Sequence, residues 1–228
     1  MNYALPLWEL PSAAVDYSDQ EFPIHRIYCV GRNYAEHARE MGADPVKEAP
    51  FFFCKPNDAI MPSGSVIPYP SMTQNFHHEV ELVVALKSGS VNIKSEAALS
   101  HVFGYAVGVD LTRRDLQQAA KDKGRPWDVG KAFDQSAPIG ALRTVSSGGH
   151  IPDAAISISV NGVVKQISDV KEMIWNVPDI IAHLSSLFEL KAGDLIFTGT
   201  PAGVGPLLRG DRVEARIAGL PPLDFRIA

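Results

Sequence analysis

Cysteine is nearly absent: 228 residues contain only Cys29 and Cys54, which excludes a disulfide framework. Both stand in apolar, strand-like runs, Ile27-Tyr28-Cys29-Val30 and Phe51-Phe52-Phe53-Cys54. Both are therefore expected as buried free thiols of a reducing compartment. The chain also lacks an uninterrupted apolar run long enough to cross a bilayer, which argues against a membrane protein. It does not open on a basic segment followed by an apolar core, so no secretory leader is expected and the cytoplasm is the default. Positive charge is not in excess: 21 Lys and Arg against 26 Asp and Glu give a net charge of -5. A nucleic-acid binder needs a basic face to meet phosphate, so that class is set aside. A local positive pocket for a small anion stays compatible with this balance.

What is present is ordinary globular material, with 46% hydrophobic and 21% charged residues. The 17 prolines are spread along the whole chain, so no linker stands out. Residues 1–22 read as an extended lead-in, and 23–228 as a single domain. Strands are expected at 25–30, 51–54, 79–86, 102–109, 194–198 and 211–217. Asn161-Gly162, between the apolar runs 156–160 and 163–166, predicts a hairpin. Helices are few. The spacing predicts one over 33–41, with Asn33 as its cap, Glu36 at the capping-box position and Gly42 to end it. A second is expected over 112–121 with Thr112 as its cap. A third covers 177–188, with Pro178 tolerated in its first turn. The fold class is α+β, mainly β.

The most informative residues are Glu79-Val80-Glu81, which open the run Leu82-Val83-Val84-Ala85-Leu86. Alternation along a strand puts Glu79, Glu81, Val83 and Ala85 on one face, and Val80, Leu82, Val84 and Leu86 on the other. Two carboxylates thus project from a strand apolar on both sides, and buried charge is costly unless paired or metal-bound. A solvated strand start, with each Glu meeting a Lys or Arg across the sheet, is the alternative. Asp110, which ends the strand 102–109, adds a third oxygen ligand; taken singly it reads as a helix cap. The three together suit Mg²⁺, Mn²⁺ or Ca²⁺ better than zinc. His77 shares the Glu79 face, as a further ligand, a support to the ligands, or plain packing.

His37 and Glu40 lie at i and i+3 of one helix. A carboxylate beside an imidazole suits a general base, and equally a surface pair. The run Thr198-Gly199-Thr200-Pro201-Ala202-Gly203-Val204-Gly205 can aim backbone N–H groups at an anion, or simply connect two strands. It is neither a phosphate loop nor a dinucleotide fingerprint, because Pro206 and a strand follow it instead of a helix. Lys131, Arg113 and Arg114 are candidate anion binders, or surface charges.

Six segments in order, GRNYAEHAREMG, KPNDAIMPSG, HHEVELVVAL, GYAVGVDLTRRDLQ, GRPWDVGKAFD and FTGTPAGVGPL, resemble the fumarylacetoacetate hydrolase family. The wording is most similar to its acylpyruvate hydrolase branch, in particular the bacterial fumarylpyruvate hydrolases. The resemblance covers the chain from about His25 to the C-terminus. It implies a mixed β-sandwich or β-roll, a homodimer, and one Mg²⁺ or Mn²⁺ per subunit on Glu79, Glu81 and Asp110. It implies a catalytic dyad of His37 and Glu40 on a lid helix, and substrate contacts from Lys131, Arg114, Gln117 and Thr200. The implied reaction is hydrolysis of the C–C bond of an acylpyruvate, a small 2-oxo acid, in aromatic-compound degradation. Oxaloacetate decarboxylation and isomerisation of a 2-hydroxy-dienoate stand beside it, because both use the same chelated 2-oxo acid. A non-catalytic protein holding a structural Ca²⁺ is the reading from a different class.

Overall fold

The computed structural model describes residues 3–40 and 49–228; the side chains of Ala38 and Glu40 fall outside the described set. Two sheets dominate. The larger runs, in spatial order, Phe51–Lys55, Ile27–Gly31, Leu195–Phe197, Val80–Leu86, Val102–Val109, Ala137–Ile139 and Ile60–Pro62, with Arg143–Thr144 also pairing to Val102–Val109. Its pairings are mixed: Leu195–Phe197 is parallel to Ile27–Gly31 and antiparallel to Val80–Leu86. The smaller sheet orders Val163–Asp169, Ala155–Val160, Arg212–Ile217, Leu223–Ile227 and Val66–Ile67. The mainly-β, α+β class expected from the sequence is what forms.

The central strand Val80–Leu86 is buried at all seven positions. Its two faces serve different cores, as alternation requires. Val80, Leu82, Val84 and Leu86 join the larger apolar cluster with residues of the smaller sheet, such as Ile158, Val213 and Phe225, and with Ile180 and Leu184 of the helix Val177–Leu187. Val83 and Ala85 join a second cluster with Cys29, Ala106 and Phe197. Residues Ala13, Val15 and Phe22 belong to that second cluster, and Ser12–Ala14 pairs with Glu21–Pro23. Part of the expected lead-in is thus a hairpin packed on the sheet.

The Asn161-Gly162 turn forms as expected, with φ of 52° and 78° at its two central residues. The helix Val177–Leu187 starts at an Asn176 cap, whose side chain accepts from the Asp179 N–H, with Pro178 in its first turn. Two expected caps do other work. The first helix spans Ala35–Glu40, while buried Asn33 donates through Nδ2 to the carbonyls of Trp175 and Thr198 and accepts from the Trp175 N–H. Long-range bonding there takes the side chain that local capping would have used. Met41 and Gly42, expected to close this helix, lie outside the described residues. The second expected helix begins at Arg114 instead of Thr112, which sits in the short strand Thr112–Arg113 and gives its hydroxyl to the Asp110 carbonyl.

Several elements exceed the sequence reading, two of them beside the site or within the smaller sheet. Asp128–Lys131 is one helical turn inside an expected loop, and Leu223–Ile227 adds a final strand. Cys29 is buried as expected, but Cys54 is exposed. Phe51–Lys55 is an edge strand. Its Phe51 and Phe53 rings meet Trp127 and its Lys55 turns inward, so Cys54 faces the opposite side of this edge strand.

Candidate metal and substrate site

Strand pairing assembles the acidic cluster. Val80–Leu86 and Val102–Val109 run antiparallel with Glu81 opposite Gly108 and Val80 opposite Val109. Extending that register sets Glu79 opposite Asp110, and the Asp110 N–H donates to the Glu79 carbonyl at 2.8 Å. Directly opposed residues share a face. Carboxylate oxygens of Glu79, Glu81 and Asp110 consequently lie within 4.8 Å of one another, all three residues buried. The other neighbour of Val80–Leu86, antiparallel to it, contributes too. Leu195–Phe197 leads into Gly199, whose N–H donates to Glu81 Oε2 at 2.8 Å.

Three cations surround the cluster. Lys131 Nζ sits 2.8 Å from Glu79 Oε2, 2.6 Å from Asp110 Oδ2 and 2.7 Å from Thr112 Oγ1. Lys55 Nζ stands 2.8 Å from Asp110 Oδ1 and donates to the Leu111 and Lys131 carbonyls. Arg114 pairs with Glu79, donates to Gln117 Oε1 at 2.6 Å, and reaches His77 Nδ1 at 3.4 Å. His77 in turn meets Asn75 Oδ1 at 2.6 Å; it stays out of the acidic cluster and props the guanidinium.

The electrostatics are uneven. Burial opposes ionisation of Glu79, but Lys131 and Arg114 outweigh it and hold the carboxyl well below the usual range. Burial pushes Glu81 well above that range, and repulsion from Asp110 and Glu79 adds to it. Burial alone would discharge Lys131, but Asp110 and Glu79 keep it charged. Among the described residues, Glu81 accepts from one backbone donor beside two like-charged neighbours, and Asp110 Oδ1 has no well-directed hydrogen bond despite the nearby ammonium. A hard cation among these oxygens relieves both deficits, so the donor set fits a divalent metal.

One small cavity of about 30 Å³ gathers most of the expected residues. Its lining includes His37, Glu79, Glu81, Arg114, Gln117, Lys131 and Thr200. His37 is buried on the first helix, and Thr200 is held by the Gln166 amide at 2.8 Å. Asp110 lies just beneath, through Lys131. The Glu40 side chain lies outside the described residues. Arg113 is turned away: its guanidinium rests 4.4 Å from the Phe133 ring and bonds the Val129 carbonyl.

Lys55 and Gln166 were not singled out in the sequence. A lysine closing the apolar run Phe51-Phe52-Phe53-Cys54 was the available sign for the first, because buried lysine needs a carboxylate. Gln166 Oε1 accepts from the Val80 N–H and meets His78 Nδ1, and its amide group also donates to the Pro201 carbonyl. It ties the smaller sheet to the glycine-rich loop. Only the tertiary fold shows that.

A family model described as fumarylacetoacetate (FAA) hydrolase C-terminal matches residues 26–228. The chain belongs to the fumarylacetoacetate hydrolase family. The crystal structure of fumarylpyruvate hydrolase from Pseudomonas aeruginosa in complex with Mn²⁺ and pyruvate is similar across 100% of this chain and 99% of its own, with 52% identity and a TM-score of 0.98. Fumarylpyruvate hydrolase from a Ralstonia species is 40% identical over 81% of this chain and 95% of its own length. Human mitochondrial oxaloacetate tautomerase FAHD1 is 41% identical over 88% of this chain and 90% of its own. Among the described residues, no helix is long and apolar enough to cross a membrane.

Proposed function

We propose that this protein hydrolyses the C–C bond of an acylpyruvate, fumarylpyruvate above all, giving pyruvate and a second acid. The observation that supports it most is the small cavity on which Glu79 and Glu81 of the acidic cluster meet His37, Arg114, Gln117, Lys131 and Thr200. The 52% identity to a fumarylpyruvate hydrolase holding Mn²⁺ and pyruvate points the same way. A structural Ca²⁺ site needs neither the imidazole nor the buried cations.

Glu79, Glu81 and Asp110 are the residues that would hold Mn²⁺ or Mg²⁺. When bound, the ion supplies Lewis-acid stabilisation of the negative charge on departing pyruvate, worth several kcal/mol. Arg114, Gln117 and Thr200, which all line the cavity, take the substrate carboxylate. His37, oriented by Glu40, takes the proton from the attacking water, a step that contributes about 10²–10⁴-fold. Lys131 keeps a fixed positive charge where negative charge develops. Its two carboxylate bonds hold that ammonium in place without reorganisation. The same reading takes 23–228 as the catalytic unit, a homodimer as the assembly, and aromatic-compound breakdown as the setting.

His37→Ala and Glu81→Ala divide the roles. The first is expected to abolish hydrolysis while Mn²⁺ binding, followed by calorimetry, stays near wild type. The second is expected to lose both. Full turnover by His37→Ala would remove the general-base assignment. The resemblance to an oxaloacetate tautomerase favours a second reading, enol–keto interconversion of oxaloacetate, with decarboxylation and dienoate isomerisation as its chemical neighbours. Products separate these: hydrolysis yields two acids, decarboxylation yields CO₂, and tautomerisation or isomerisation yields no fragment.

A further inference from the structure

The small cavity does not end at the metal and carboxylate groups. Arg32, Phe53, Trp127 and Lys131 line it and also line a second cavity of about 600 Å³ whose other walls include Phe51 and Phe52. An aromatic chamber therefore adjoins the polar pocket. Lys121 lies on the polar pocket's lining, with its ammonium 5.0 Å from the centre of the Trp127 ring. Among the described residues, no carboxylate lies within ion-pair distance of Lys121. Two other cations of the pocket differ: Lys131 and Arg114 are both paired to Glu79. Arg113, the other arginine at the start of the same helix, is turned onto Phe133.

Arg114, Gln117 and Lys121 stand at i, i+3 and i+7 of the helix Arg114–Asp122, on one face. Four helical residues rise about 6 Å, so Lys121 sits that much further along the axis than Gln117. An acylpyruvate whose acyl group is a four-carbon dicarboxylic acid places its end carboxylates six bonds apart. Six bonds of chain span about 7 Å, as two extended residues do. We infer that Lys121 receives the distal carboxylate of the substrate, with the flat unsaturated spacer lying against Phe53 and Trp127, so that the enzyme selects acylpyruvates ending in a second carboxylate. Burial, with Arg114 and Arg32 close by, pushes Lys121 down to about 8, which is the state of a cation short of a counter-charge.

The inference rests on the acylpyruvate reading, and the test separates the two. Fumarylpyruvate and acetylpyruvate, which lacks the second carboxylate, are compared in wild type, Lys121→Met and Lys121→Arg with saturating Mn²⁺. The preference for fumarylpyruvate in kcat/KM is expected to fall about tenfold or more in Lys121→Met, mostly through KM, and to recover in Lys121→Arg. Equal losses on both substrates, or no loss on either, would overturn it. If wild type cleaves neither compound, the hydrolase reading fails and Lys121 is judged on binding. The extra rise in Tm that fumarylpyruvate gives over acetylpyruvate must then vanish in Lys121→Met; its persistence would overturn the inference.

Discussion

Glu81 and Gly199 show how closely single residues are fitted here. Gly199 has φ of +96°, a region costly for any side chain. A Cβ on it would also stand 2.7 Å from the Asn33 Cβ. Gly199→Ala is thus expected to move the loop and to lose the donor to Glu81. Mn²⁺ affinity should drop about tenfold, since supports to a ligand commonly cost 10–100-fold; an unchanged affinity would show that this bond does not orient Glu81. Lys55 makes a stability prediction. Removing it leaves buried Asp110 short of a cation and strands carbonyl bonds at Leu111 and Lys131. Lys55→Met should lose on the order of 3 kcal/mol in urea unfolding without metal. A loss near zero would mean that Lys131 alone satisfies Asp110.

At the scale of elements, the start of the helix Arg114–Asp122 is fixed by Asp115. Its carboxylate accepts from Thr73 Oγ1 at 2.6 Å, from the Gln74 N–H at 2.9 Å and from the Leu116 N–H at 2.9 Å. Slight burial opposes ionisation, but these donors outweigh it and lower its pKa. A lowered folded pKa means that the stabilisation is present above the unfolded value, about 3.9, and is lost as pH falls through the folded one. The Tm gap between wild type and Asp115→Asn should be full at pH 6 and shrink below pH 4. A gap that widens in acid would contradict the hydrogen-bond account. Element-level features were legible where local chemistry decides them. The Asn161-Gly162 turn, the Val177–Leu187 helix and the two-sided burial of Val80–Leu86 all follow from pattern. Asn33 and Thr112 were misread because partners more than 100 residues away, or in the adjoining strand, outcompeted capping. Leu223–Ile227 carries an alternating pattern, but Pro221-Pro222 directly before it marks the stretch as a loop.

Across the whole molecule, the site exists because antiparallel pairing aligns Glu79 with Asp110 and because the glycine-rich loop returns beside Glu81. The carboxylates were legible since charge inside an apolar strand demands a cation. Lys55, Gln166 and Lys121 were not, because their roles depend on which strands become neighbours. Ordered motifs bridged part of that gap by carrying tertiary information in the sequence itself. The account stands or falls on turnover. Metal-free protein is mixed with fumarylpyruvate, Mn²⁺ is added, and fumarate and pyruvate are quantified together. The expected result is no cleavage before the metal, then equimolar fumarate and pyruvate, stopped again by a chelator. Cleavage that ignores the chelator, or substrate left intact with Mn²⁺ present, would contradict the central claim.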